Sequence, residues 1–272
     1  MKIGPENTAL VVGLGYRSGL AAANFLAAKG CRVLVSDVKG RDELADTIAR
    51  LAAGVEVFAG NQEPSLLDRG VDFVVLSPGV PASIPLVTEA RRRGVPVIAE
   101  IELAFRFLRG RVVAITGTDG KSTTTSLVGH LLRALGFRVL VGGNIGIPLV
   151  SLVDESTDDA VSVIELSSFQ LETIERFRPH VAAILNIGAD HLDRYRSMDE
   201  YFWAKLRIAM NQTADDGFVY NMDDPVLASG IGAVRARRLG FSMTNTDADA
   251  FLEKDTVFIR DAGAVKGILD PS

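Results

Sequence analysis

Lys121 and Ser122 stand directly behind a glycine-rich turn, Ile115-Thr116-Gly117-Thr118-Asp119-Gly120-Lys121-Ser122-Thr123-Thr124-Thr125, the stretch of this chain best equipped for chemistry. Backbone N–H groups of such a turn point at phosphate oxygens, and the dipole of a helix starting there favours negative charge. A lysine in this place reaches the outer phosphates, and the hydroxyl after it helps to hold Mg²⁺. Only two residues separate Gly117 from Gly120, so the loop is shorter than the common G-x-x-x-x-G-K-[ST] pattern. With an apolar run before it and an apolar-periodic segment after it, the spacing predicts a nucleoside triphosphate held by Gly117, Thr118, Asp119, Gly120, Lys121, Ser122 and Thr123.

Three further side chains have chemical potential. Glu165 closes the apolar run 161–165, and ligands of open α/β sheets gather at the carboxyl ends of strands. A carboxylate there suits Mg²⁺, although an acid at a helix start also occurs for the dipole alone. His191, within Asp190-His191-Leu192-Asp193, follows the same strand-end logic, whereas His180 beside Pro179 has no such context. Lys205 lies in Tyr201-Phe202-Trp203-Ala204-Lys205-Leu206-Arg207, where side-chain physics alone reads a snorkelling surface lysine.

A second glycine turn, Val12-Gly13-Leu14-Gly15-Tyr16-Arg17-Ser18-Gly19, follows the first apolar run, and Asp37 closes the second. Glycines let a backbone approach a diphosphate, and an acid at that place suits a ribose. The spacing G-x-G-x-x-x-G has one residue more than the dinucleotide fingerprint, so an empty turn and an NAD(P) site both stay open. No hydride-transfer partner follows, which favours a nucleotide-linked substrate over a redox cofactor.

The elements that must position these residues alternate. Strands are expected at 8–12, 32–36, 55–58, 73–76 and 95–98, with helices at 19–28, 42–52 and 84–92. A connecting helix near 102–108 leads to a second series of strands at 112–116, 138–141, 161–165, 181–187, 218–220 and 238–241, with a helix at 127–135 and two more strands at 250–252 and 256–259. The pattern predicts an α/β protein: a Rossmann-like domain, 1–100, and a P-loop ATPase-type domain with a mainly parallel sheet, 101–272. The 272 residues are ample for two cores, and a net charge of -5 argues against nucleic acid as a partner. One cysteine, Cys31, forms no intrachain disulfide, and Arg91-Arg92-Arg93 before Gly94 reads as a solvated helix end. No signal-peptide layout or spanning stretch is present, so a cytoplasmic monomer without membrane contact is expected.

Taken together, these strings resemble the Mur ligase family, the ATP-dependent amide-bond ligases of peptidoglycan assembly. The loop 116–123, Gly142-Gly143-Asn144-Ile145-Gly146, Glu165 to Gln170 and Asp190-His191-Leu192-Asp193 follow in the family's order. Glu165-Leu166-Ser167-Ser168-Phe169-Gln170-Leu171-Glu172 is most similar to the branch that adds D-glutamate to UDP-N-acetylmuramoyl-L-alanine. The resemblance implies ATP and Mg²⁺ as cofactors, with Lys121, His191 and Lys205 catalytic and Ser122, Glu165, His191 and a carbamylated Lys205 serving metal. It implies that Asn144, Ser167, Gln170 and His191 face the muramoyl-alanine end of the substrate. Gly15, Tyr16, Arg17, Ser18, Asp37, Ser77, Pro78 and Gly79 would grip the UDP end. Two positions depart from the family pattern: Asp119 stands where asparagine is frequent, and the first turn carries its extra residue. The family's third, C-terminal domain has no counterpart here, so the resemblance implies a chain that loads substrates without ligating them alone. A non-catalytic binder of the same nucleotides, another ligase of the family and an NAD(P)-linked oxidoreductase are the alternatives; only the last leaves the P-loop unexplained.

Overall fold

The computed structural model describes residues 3–189, 195–261 and 264–269. The chain divides into two compact units: one comprises Met1–Arg109, Gly142–Thr157 and Phe169–Phe177, the other Gly110–Val141, Asp158–Ser168 and Arg178–Ser272.

The first unit is built on β1 (Thr8–Val12), α1 (Ser18–Ala28), β2 (Arg32–Asp37), α2 (Ala45–Ile48), β3 (Glu56–Ala59), β4 (Phe73–Leu76), α3 (Pro85–Arg92), β5 (Val97–Ala99) and α4 (Glu100–Phe105). Its five strands form one parallel sheet in the order β3-β2-β1-β4-β5. Strands covered on both faces read as unbroken apolar runs, and Ala9 to Val12 of central β1 have no exposed surface. Leu10, Val12, Leu34, Val74 and Leu76 pack with Leu86 and Val87 of α3 in one core cluster. Each such buried side chain contributes about 1.5–3 kcal/mol against exposure. Pro85 at its first turn and Gly94 at φ +71° just past its end fix the limits of α3. The expected helix at 42–52 shrinks to the four residues of α2, whose Leu44 start has no side-chain cap. Cys31 is buried with Sγ donating to Gly4 O, and burial raises its thiol pKa, so it is a packing residue.

Two buried acids of α4 hold distant chain to this unit. Glu102 Oε2 accepts the N–H groups of Glu175, Arg176 and Phe177 at 3.0, 3.0 and 2.9 Å, while Oε1 takes Arg106 Nε at 3.0 Å. The Phe105 and Phe177 rings meet edge to face beside them, centroids 5.2 Å apart. Glu100 Oε1 accepts Val150 N at 2.7 Å, but its buried Oε2 has no partner. Burial accordingly pushes the Glu100 carboxyl up to about 7.

The second unit continues with β6 (Arg111–Thr116), α5 (Lys121–Ala134), β7 (Val139–Gly143), β8 (Val161–Glu165), α6 (Ser168–Leu171), β9 (Val181–Ile184), α7 (Met198–Leu206), β10 (Gly217–Asn221), α8 (Pro225–Gly230), β11 (Arg237–Ser242), β12 (Ala250–Glu253), β13 (Thr256–Asp261) and β14 (Ala264–Leu269). The last two residues of β7 and most of α6 fall within the first unit's limits. The sheet order is β14-β13-β12-β11-β10-β9-β6-β8-β7, with β6 parallel to β8 and β9, and with β12–β13 and β13–β14 paired antiparallel. Lys254 and Asp255, at φ +47° and +64°, make the tight turn between β12 and β13. Ile115, Val161, Val163 and Ala183 form the core with Val128 and Leu132 of α5. Gly129 lets α5 lie close to β7, since a Cβ there would come within 2.6 Å of Val141. No helix among the described residues is long and apolar enough to cross a membrane.

The Glu100 carboxyl has a defined effect on pH stability. Its folded pKa of about 7 lies above the ordinary glutamate value of 4.5, so it contributes nothing below 4.5, where both states are protonated. Between 4.5 and 7 the unfolded chain releases the proton first, so stability falls as pH rises, by up to about 3 kcal/mol. Glu100→Gln is therefore expected to melt several degrees above the parent at pH 8 and level with it at pH 4.5. A pH-independent difference in thermal denaturation would show that the folded carboxyl titrates as it does in the unfolded chain.

Candidate functional sites

In the first unit, the turn between β1 and α1 opens onto a cleft of about 1030 Å³. The turn is tied down from below. Gly13 N donates to Ser36 O, Ser77 Oγ donates to Gly13 O at 2.6 Å, and Leu14 N donates to Asp37 Oδ2 at 2.7 Å. Its glycines differ in what they permit. A Cβ on Gly19 would sit 2.0 Å from Gly13 O, and one on Gly13 would sit 2.5 Å from Val80, so both are demanded by packing. Gly15 has no neighbouring atom within 4 Å of that point and faces the cleft, so packing does not demand a glycine there.

Gly15, Tyr16, Arg17, Ser18, Asp37, Ser77, Pro78, Gly79 and Asn144, all expected from sequence to contact a nucleotide-linked substrate, line this one cleft. The extra turn residue places Arg17 so that Nη2 donates to Gly146 O and, at 3.5 Å, to Asn144 O, while the Arg50 guanidinium lies over the Tyr16 ring at 4.7 Å. Asp37 is mostly spoken for: its two oxygens accept Leu14 N and Lys39 N. Lys39 and Gln62 also line the cleft and were not foreseen, since neither carries a local motif. Gln170, in the first unit, is buried at 1% exposure and is not among the lining residues. Ser167 lies in the second unit, half-buried.

In the second unit, the loop from β6 to α5 has the expected anion-cradle form. Gly117 at φ +153° lies against the chain leaving β9, where a Cβ would come 3.1 Å from Leu185. Gly120 at φ +75° starts α5, and the helix's first N–H groups are left without an intrahelical partner. Lys121 Nζ donates to Thr118 O at 2.6 Å, and Ser122 Oγ donates to Glu165 Oε2 at 2.6 Å. This juxtaposes two hard oxygen ligands at the loop mouth, a donor set that fits Mg²⁺. Among the described residues no cluster of three or more His, Cys, Asp or Glu adds to it. His191, with Asp190 and Asp193, lies outside the described residues.

Lys205, on the buried face of α7, is 1% exposed. Its ammonium donates to Gly117 O at 2.7 Å and lies 4.5 Å from the centre of the Tyr201 ring, contacts that offset burial of its charge. The loop after β9 supplies a brace that sequence reasoning missed. Asn186 Oδ1 accepts Thr118 N and Asp119 N at 2.9 and 2.8 Å, its Nδ2 donates to Asp119 O at 3.2 Å, and its own carbonyl accepts Thr118 N at 3.1 Å. Gly188 N donates to Thr118 Oγ1 at 2.9 Å, and Ile187 N to Asp224 Oδ2 at 2.7 Å. Asp224 also caps α8 through Val226 N and Leu227 N. His180 is structural: Nδ1 accepts Val112 N at 3.2 Å.

Comparison with known proteins is consistent across both units. The Mur ligase middle domain matches residues 115–262, and the MurD-like Mur ligase N-terminal domain matches residues 7–99. A UDP-N-acetylmuramoylalanine--D-glutamate ligase of Acidobacterium capsulatum is 47% identical over 255 residues, 93% of this chain and 55% of the relative. That of Koribacter versatilis is 45% identical over 262 residues, 96% and 57% respectively. The chain thus spans little more than half the length of these relatives. Among solved structures, the UDP-N-acetylmuramate:L-alanyl-gamma-D-glutamyl-meso-diaminopimelate ligase from Neisseria meningitides shares the fold at TM-score 0.59 and 18% identity, covering 95% of this chain and 85% of that one. The UDP-N-acetylmuramate-alanine ligase from Thermotoga maritima does so at 0.53 and 24%, covering 96% and 58%.

The contrast between the two glycines is testable by substitution. Gly19→Ala is expected to cost about 2 kcal/mol or more, because backbone must move to admit the Cβ. Gly15→Ala is expected to leave the melting temperature unchanged and to lower affinity for a nucleoside diphosphate about tenfold. A fall in melting temperature for Gly15→Ala would assign that glycine to the fold instead.

Proposed function

Because the chain belongs to the Mur ligase family, we propose that it is the substrate- and ATP-binding portion of a ligase that joins D-glutamate to UDP-N-acetylmuramoyl-L-alanine. Residues 1–100 are the uridine-nucleotide domain and 101–272 the ATPase domain in this reading, which places the protein in peptidoglycan precursor synthesis as a cytoplasmic monomer with no nucleic-acid or membrane partner. The geometric observation that carries it is the Ser122–Glu165 contact of 2.6 Å at the mouth of the Lys121 loop. The activity by which the two relatives are named supplies the substrate.

The chemistry has a physical rationale. A carboxylate is a poor acyl donor because its leaving group would be oxide. An oxygen of the substrate carboxylate attacks the γ-phosphorus of ATP, ADP leaves, and the resulting acyl phosphate has a good leaving group. The amine of D-glutamate then attacks the acyl carbon, loses a proton, and the C–O bond to phosphate breaks. Lys121 exchanges its Thr118 carbonyl for phosphate oxygens, and the N-terminal amides of α5 hold the same anion. Ser122 and Glu165 would hold Mg²⁺, which when bound supplies charge neutralisation on the transferring phosphoryl group. Support for Lys205 as a carbamylated, metal-serving residue comes from its family context and from its buried position against the loop.

Calorimetric titration of this chain with UDP-N-acetylmuramoyl-L-alanine, with NADPH as the control ligand, is expected to show binding of the muramoyl nucleotide alone. NADPH binding in its place would overturn the substrate. Lys121→Ala is expected to abolish ATP binding while sparing the muramoyl nucleotide; equal loss of both would undo the assignment of one ligand to each unit.

A further inference from the structure

We propose that Asn186 is the positioning residue of the triphosphate loop, and that it divides the loop's backbone N–H groups into a structural pair and a ligand-binding set. The inference rests on the reading of 117–123 as an ATP loop. An empty anion cradle is a polar backbone with its donors turned outward, and such a segment has few internal bonds to keep it open. One carboxamide meets that need here. It has two acceptor lone pairs and two donor hydrogens. Both acceptor sites are used on Thr118 N and Asp119 N, and one donor on Asp119 O.

Asn186 is itself held from both sides. Leu185 N donates to Thr116 O at 3.0 Å before it, and Ile187 N is bound by Asp224 after it. The clamp therefore has a rigid base, made of the end of β6 and the cap of α8. Its consequence is a partition of donors. The N–H groups of Thr118 and Asp119 face Asn186, so the amides of Gly120, Lys121, Ser122 and Thr123 remain for phosphate. Thr118 and Asp119 then serve the nucleotide by shape rather than by contact, which also explains how an acidic residue is accommodated at 119. Asp119 is exposed, and only its backbone takes part in the clamp.

The test compares wild type with Asn186→Leu, which keeps the branched outline of the side chain and removes its three hydrogen bonds. Two readouts are followed: Mg-ATP affinity by calorimetry, and hydrogen exchange of the Thr118 and Asp119 amides in the ligand-free chain. The expected result is an ATP affinity lowered about tenfold or more, faster exchange at the Asp119 amide while Thr118 keeps its bond to the Asn186 carbonyl, and unchanged affinity for UDP-N-acetylmuramoyl-L-alanine. Asn186→Ser, which admits water in place of the carboxamide, carries the same expectation with a smaller loss and serves if the leucine variant folds poorly. Unchanged exchange at Asp119, or ATP affinity within threefold of wild type in a folded variant, would overturn the proposal. Wild type failing to bind ATP would instead defeat the functional reading, while the exchange measurement still decides the clamp.

Discussion

A glycine-rich loop whose N–H groups turn outward has few internal bonds to keep it open, and this constraint organises the second unit. The strand that would have continued as β9 stops at Ile184, and the next residues turn from sheet pairing to supporting the loop. Gly117 is a glycine because that support comes so near, and its carbonyl in turn receives the ammonium of Lys205. The loop, the exit of β9 and the inner face of α7 are therefore one bonded assembly. Ser122 and Glu165 stand at its open side, where oxygen ligands and positive donors meet over a short distance.

Carboxylates and carboxamides recur as backbone organisers throughout the molecule. Asp37 binds the N–H groups of Leu14 and Lys39, Glu102 those of three successive residues, and Asp224 those of Ile187, Val226 and Leu227. In each case a loop that would leave donors unsatisfied in a buried place receives a short acidic acceptor instead. Glu100 is the incomplete instance, with one oxygen used and one left dry, and its raised pKa is the physical record of that imbalance.

Much of this was legible from residues alone, and the rest was not for identifiable reasons. Strands β1, β4 and β8 have the limits that their apolar runs imply, because a strand buried on both faces has no other pattern. The P-loop and its strand-end glutamate were readable because their parts are close in sequence or follow a topological rule. Asn186 was not: its partners lie 67 and 68 residues away, and nothing beside it in sequence marks the contact. The helix at 42–52 and the long form of β9 were over-read, and β14 was missed, since pairing rather than propensity sets those limits. Lys205 is the instructive case. Its helix buries Tyr201 and Lys205 while leaving Trp203 55% exposed, so the surface lysine expected from side-chain physics is in fact an interior one. The fold class agrees with the sequence reading, nine of the residues expected at a nucleotide-linked substrate line one cleft, and His191 lies outside what the structure describes.

The interleaving of the two units has a consequence for how the chain is made. Its path passes between them five times, and the first unit is complete only at Phe177. A ribosome releasing this protein exposes the five-strand sheet early, yet Glu100 and Glu102 must wait for Val150 and for residues 175–177 to emerge. For roughly the length of that interval, on the order of seconds at ordinary elongation rates, Glu100 has only water as a partner, and Glu102 has only water and the nearby Arg106. The nascent first unit is thus held open by its own unfinished chemistry, and the last stretch to arrive is what seals it.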